Sequence, residues 1–171
     1  MMACTQTTKD RSVEKPEKPR ILLDTDTNNE LDDQHALAYL LFNADVFAIE
    51  GITVNATRNG GSVDKHYEEA KRVMQMCRMD EHVPLKTGAN GDFNQIEAKL
   101  DQENFDGADA VNFIIERALE ESKKKLILVP VGKLTNIALA LKKNPSISEK
   151  IRIVWLGSNY PDPGEYNQRN D

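Results

Sequence analysis

From Arg20 onward the chain alternates short β-rich runs with stretches of helical periodicity, the pattern of β-α-β units wound around a parallel sheet. Residues 20–24 (RILLD) have the length and apolar content of a buried strand. Over 31–42, Ala36, Leu37, Leu40 and Leu41 recur on one helical face. Residues 47–54 (FAIEGITV) predict a second strand, and 63–77 a helix with Ala70, Val73, Met74 and Cys77 on its buried side. Pro84-Leu85 leads into a polar stretch, 88–107, too rich in Asn, Asp and Gly to be core; loops of that length in compact domains are functional or disordered. A helix over 108–120, a strand over 125–131 (KLILVPV), a helix over 134–141 and a strand over 151–156 (IRIVWL) complete the pattern. The expected fold class is α/β: an open, mostly parallel, doubly wound Rossmann-like sheet of five strands over residues 20–171.

Residues 1–19 carry dense charge, two prolines and few apolar side chains, so they cannot offset the entropy of ordering and are expected to form a disordered tether. Cys4 in this segment reads either as an ordinary terminal cysteine or as the remnant of a lipoprotein signal whose apolar part lies upstream. On the second reading the protein is periplasmic or membrane-anchored; as written it reads as cytoplasmic. With 22 basic against 28 acidic residues the net charge is −6 and the basic residues are scattered, which argues against a nucleic-acid or anionic-membrane surface. Apolar runs such as 36–42 are far shorter than the ~20 residues that span a bilayer. Two cysteines make no disulfide framework.

In a doubly wound sheet ligands bind at the carboxyl ends of the strands. The first strand delivers Asp24-Thr-Asp26-Thr-Asn-Asn-Glu30-Leu-Asp32-Asp33 there. Five carboxylates within ten residues repel one another unless a cation joins them, and hard oxygens select Ca²⁺ or Mg²⁺. An acidic first helical turn, favoured by the helix dipole, accounts for Glu30, Asp32 and Asp33 but not for Asp24 and Asp26. The second strand ends in Asn55-Ala-Thr-Arg-Asn59-Gly-Gly, and the fourth in Val129-Pro-Val131-Gly132, where a backbone carbonyl could face the site. After the fifth come Asn159, Glu165 and Asn167, which suit the vicinal hydroxyls of a sugar or, equally, a solvated loop.

Together these residues resemble the inosine-uridine-preferring nucleoside hydrolases, Ca²⁺-dependent enzymes that cleave the N-glycosidic bond of nucleosides. The resemblance runs from Arg20 to Asp171 and rests on DTDTNNELDD before an Ala/Leu-rich helix, on VPVGKLTNIALAL, and on the closing Asn159, Glu165-Tyr-Asn167 and Asp171. It implies that Asp26 and Asp33 bind Ca²⁺ with the carbonyl of Val131. It further implies that Asp26 takes a proton from a metal-bound water, that Asp24 supports the cluster, and that Asp32 holds the ribose 2′-hydroxyl. Asn159, Glu165 and Asn167 would grip the 3′ and 5′ hydroxyls, and Asn59, or Asn55, would fill the second-strand position.

The chain departs from the family pattern in three places. Residues 27–31 are two longer than the usual Pro-Gly-containing segment, marking a divergent branch; Lys133 replaces a proline; and family members continue well past this point, their distal half supplying another Asp ligand and often a His. The expectation is therefore a fold-competent, self-associating half, a homo-oligomer, with little turnover alone. His35, His66 and His82 are expected in surface or helix-packing roles. Two other readings stand beside the hydrolase: a nucleoside- or sugar-binding module without catalysis, and a haloacid dehalogenase-like Mg²⁺-dependent phosphatase with Asp24 as nucleophile.

Overall fold

Side chains of the first strand, β1 (Arg20–Thr25), alternate between two apolar layers, and that alternation sets the architecture. Ile21 and Leu23 enter one core cluster and Leu22 the other, as a strand buried on both faces requires. The computed structural model describes residues 17–157. Five strands, β1, β2 (Ala48–Val54), β3 (Leu85–Thr87), β4 (Leu126–Pro130) and β5 (Ile151–Ile153), pair in parallel in the order β3-β2-β1-β4-β5. The expected fold class stands.

Helices α1 (Leu31–Phe42) and α2 (Val63–Met76) cover one face, where Leu37, Leu41, Ala70 and Met74 pack on Ile21, Leu23, Ile52 and Val54. A single turn, α3 (Phe93–Ile96), precedes α4 (Ala108–Leu119) and α5 (Thr135–Lys143); the last two cover the opposite face, with Val111, Ile114, Ile137 and Leu139 on Leu22, Leu126 and Leu128. The chain leaves β1 towards β2 on one side and reaches β4 on the other. The topological switch point therefore lies between the carboxyl ends of β1 and β4.

The structure corrects two parts of the sequence reading. The polar stretch 88–107 does contribute to the core: Ala89, Ile96, Leu100 and Phe105 are buried beneath α4 and α5. Asp92 and Gln95 cap α3 reciprocally, satisfying two backbone donors and turning the chain inward. β5 is also shorter than expected, although Val154 N–H and Leu156 N–H still donate to Leu128 and Pro130 carbonyls at 2.9 and 3.1 Å. The proposed tether and Cys4 lie almost wholly outside the described residues; of its last three, Pro19 accepts from Ala48 N–H at 2.9 Å. Among the described residues no helix is long and apolar enough to cross a membrane.

Arg20 closes the opposite, amino-terminal end of the sheet. Its guanidinium is buried against Glu50 at 2.7 Å, Glu120 at 2.8 Å and the Arg117 carbonyl at 2.9 Å. Removing it leaves the half-buried Glu50 carboxylate without its cation, so Arg20→Ala is expected to cost about 1 to 3 kcal/mol, read from the urea midpoint. A variant with an unchanged midpoint would show that solvent replaces the pair without penalty.

Candidate active site

Strand parity decides which partners each acidic residue meets. Asp24 shares the parity of Leu22 and so faces the α4/α5 side, where Asn136 of α5 is buried. Its Oδ2 accepts from Thr53 Oγ1 at 2.5 Å and Asn136 Nδ2 at 2.7 Å, and its Oδ1 from Asn55 Nδ2 at 2.5 Å. Thr53 is its register partner on β2, and Asn55 continues that strand. Asp24 is inaccessible to solvent, and burial pushes its carboxyl up to about 7 against the pull of these three hydrogen bonds, with the Asp26 charge adding to the rise. Thr25, of opposite parity, faces α1 and donates through Oγ1 to Asp33 Oδ1 at 3.4 Å.

Asp26 stands where β1 gives way to the loop. Its backbone carbonyl accepts from Asn29 N–H at 2.8 Å and its Oδ2 from Asn29 Nδ2 at 3.1 Å, while Oδ1 is buried with no hydrogen-bond partner. Asp33, in the first turn of α1, brings its carboxyl within hydrogen-bonding reach of Asp26 and is pushed up to about 7 by burial, then by the charges of Asp26 and Asp32. A β-carbon at Gly132 would overlap Asp26 Oδ1, so the β4–α5 loop passes this oxygen at a distance only glycine permits. Val131 is drawn to the same point, its N–H donating to the Asp24 carbonyl at 2.9 Å.

These features fit a hard cation: a pair of buried carboxyls, Asp26 with an orphaned oxygen and Asp33 with its charged form disfavoured by burial and by the neighbouring carboxylates, beside a backbone loop. Asp26 and Asp33 would supply two ligands only; among the described residues no group of three or more His, Cys, Asp or Glu side chains gathers as a metal cluster.

The remaining expected site residues are placed as follows. Asp32 is exposed in the first turn of α1, next to Asp33. Asn59 is exposed in the turn after β2, whereas Asn55 is buried inside the carboxylate cluster. A cleft of about 860 Å³ opens between the loops that follow β2, β3 and β4, lined by Arg58, Ser62, Asn90, Asp92 and Lys133 among others. Asn159, Glu165 and Asn167 lie outside the described residues. His35 and His82 are exposed; His66 is fully buried.

The description inosine-uridine preferring nucleoside hydrolase belongs to the family model that matches residues 21–171. The chain belongs to this family. The nucleoside hydrolase of Leishmania major is 32% identical over 91 residues, 53% of this chain and 28% of that protein. The Crithidia fasciculata nucleoside hydrolase is 40% identical over 52 residues, 30% of this chain and 16% of that protein. Both carry the description inosine-uridine preferring. Among solved structures, the purine-preferring ribonucleoside hydrolase from Gardnerella vaginalis superposes with a TM-score of 0.65 at 26% identity, covering 82% of this chain and 49% of that one. The chain thus spans about half the length of that solved nucleoside hydrolase and a smaller share of the curated relatives it matches.

Sequence reasoning reached the VGKLTNIA segment of this nucleoside hydrolase family member without assigning a role to Asn136. The structure makes it the hub of the cluster: Nδ2 donates to Asp24 and to the Val54 carbonyl at 3.0 Å, and Oδ1 accepts from Ala89 N–H at 2.9 Å. The available signal was a polar residue on the apolar face of a helix, three and four positions before Leu139 and Ala140.

Proposed function

We propose that the protein hydrolyses the N-glycosidic bond of ribonucleosides, releasing base and ribose, at the carboxyl ends of β1 and β4, with Ca²⁺ as the resident cation. The observation that carries this reading is Asp26 Oδ1, buried and unpartnered beside Asp33 at the switch point of a sheet whose family is known. Asp26 and Asp33 would hold the cation together with the carbonyl of Val131. When bound, the cation supplies positive charge that acidifies water and orients a diol.

The chain's own residues divide the remaining work. Asp26, with one oxygen fixed by Asn29 and the other free, accepts the proton of the attacking water. Asp24 has both oxygens occupied and no exposure, so it acts as a positioning residue that locks β1, β2 and α5 together beneath Asp26. Asp32 is open to accept a hydrogen bond from the ribose 2′-hydroxyl. The carboxylates of Asp26, Asp32 and Asp33 offset the positive charge that develops on the sugar as the base departs. The cleft between the loops after β2, β3 and β4 has room for a nucleoside. The phosphatase reading fits poorly, because its nucleophile would be Asp24, which no substrate phosphorus can approach.

The test is ribose release by the full-length gene product from inosine and from 2′-deoxyinosine, with p-nitrophenyl phosphate as the control. A hydrogen bond to a charged group contributes about 1.5 to 3 kcal/mol, so the deoxynucleoside, which cannot make it to Asp32, is expected to be cleaved roughly tenfold to a hundredfold more slowly. Equal rates on the two nucleosides would contradict the role of Asp32. Binding of inosine without turnover would favour the binding module, and phosphate release without ribose release would favour the phosphatase.

A further inference from the structure

We propose that His66 is a positioning residue for the Asp26 carboxylate, acting through the lengthened segment between Asp26 and Asp32; the inference rests on the reading of Asp26 as a cation ligand. His66 lies in the first turns of α2, on the same buried side as Val63, Ala70 and Val73, and is inaccessible to solvent. Its Nδ1 accepts a hydrogen bond from the Asn28 backbone N–H at 3.1 Å. In the neutral ring the proton therefore sits on Nε2, which is buried and has no partner. A packing role alone does not call for an imidazole with an orphaned donor, since an apolar ring or branched chain fills such a place without that cost.

The surroundings are built around this ring. A β-carbon at Gly60 would overlap His66 Cε1 and stand 2.6 Å from Nε2, so glycine is what lets the β2–α2 loop close over it. The Gly60 carbonyl in turn accepts from Asn28 Nδ2 at 2.8 Å. Asn28 itself is exposed, so polar bonds from His66 and Gly60 hold it in place of apolar packing. The next residue, Asn29, grips Asp26 at its carbonyl and at Oδ2, leaving Oδ1 as the free oxygen. Thus His66 and Gly60 fix Asn28, Asn28 fixes the start of the Asn29 bonds, and Asn29 decides which oxygen of Asp26 is offered. Groups that orient a metal ligand from behind typically change affinity by about ten- to a hundredfold when removed.

The experiment compares the full chain with His66→Leu, which deletes the acceptor at similar bulk, and His66→Asn, whose Oδ1 can stand where Nδ1 accepts. Ca²⁺ affinity is read by calorimetry, and amide hydrogen exchange by NMR without metal. His66→Leu is expected to bind Ca²⁺ about tenfold more weakly and to exchange faster at Asn28 and Asn29 than at Leu22 or Leu128. His66→Asn is expected to recover most of both. A folded leucine variant with wild-type affinity and unchanged exchange at Asn28 and Asn29 overturns the proposal, as does an asparagine variant that recovers neither. If the leucine variant does not fold, Asn28→Ala, which removes only an exposed side chain and its bond to Gly60, is expected to move both readouts in the same direction, and no change there overturns the proposal. A wild-type chain that takes up no Ca²⁺ overturns the metal reading instead, and the exchange measurement then decides whether His66 holds the loop.

Discussion

Replacing Asp24 by leucine is expected to cost about 3 to 5 kcal/mol of folding free energy, a large share of the roughly 5 to 15 kcal/mol by which a domain is stable. The substitution keeps the branched shape, in a larger side chain, but strands three buried donors: Thr53 Oγ1, Asn55 Nδ2 and Asn136 Nδ2. Asn136 retains the Val54 carbonyl, and Thr53 and Asn55 keep only long contacts of 3.5 and 3.4 Å to the Leu23 and Lys133 carbonyls, which is why the loss is large without being three full penalties. The effect carries a pH signature. Burial raises the Asp24 carboxyl to about 7, so the folded chain holds this proton more tightly than the unfolded one. Its contribution is then complete below the ordinary carboxylate range and is lost as the pH rises through about 7. Urea unfolding of the metal-free chain should therefore show a larger deficit for Asp24→Leu at pH 5 than at pH 8. A deficit of less than about 1 kcal/mol at both, or one that grows with pH, would mean that the three donors are not held by Asp24.

The sequence was most legible where one periodicity ran unbroken. Helix α1 occupies residues 31–42 as its apolar face predicts, and β1 begins at Arg20 where the polar segment gives out. The parallel sheet followed from the alternation of these units, and the cluster at the end of β1 from Asp24 and Asp26 being carboxylates at the end of a buried strand. Legibility failed where burial comes from isolated side chains. Ala89, Ile96, Leu100 and Phe105 are isolated among Asn, Asp and Gly residues, so the segment that carries them read as loop, although Ile96 and Leu100 stand at helical spacing and Asp92-Phe-Asn-Gln95 held the signature of a capping box. Asn136 and His66 escaped for a related reason. Each lies on the apolar face of a helix, where periodicity assigns a place in the core but cannot name the polar partner that the neighbouring loop supplies. Asn55 and Asn59 part company at the end of β2: the strand conformation stops at Val54, so Asn55 still reaches Asp24 while Asn59 is carried out into the turn.

The pair Asp26 and Asp33 makes the largest ligand-dependent prediction. With metal removed, both carboxyls are buried, one Asp26 oxygen is unpaired, and ionising Asp33 at neutral pH opposes folding, because burial and the Asp26 and Asp32 charges disfavour its charged form. A cation that binds the folded chain and not the unfolded one stabilises by mass action, about 2.7 kcal/mol at a hundred times its Kd. For a domain of 150 to 250 residues that corresponds to a rise in Tm of roughly 5 to 11 °C. Asp26→Asn keeps the shape and the Asn29 contact but removes the charge, so it should abolish the rise while leaving the metal-free chain no less stable than before, because a repelling neighbour of Asp33 has gone. Protons compete for the same oxygens, so the rise should shrink as the pH falls below about 7. The most direct test is a thermal melt of the wild-type chain and of Asp26→Asn at pH 8, in millimolar Ca²⁺ and in EDTA. The account predicts a higher Tm in Ca²⁺ for the wild type and coincident curves for the variant; a wild-type Tm indifferent to both additions, or a Ca²⁺ shift that survives in Asp26→Asn, would contradict it.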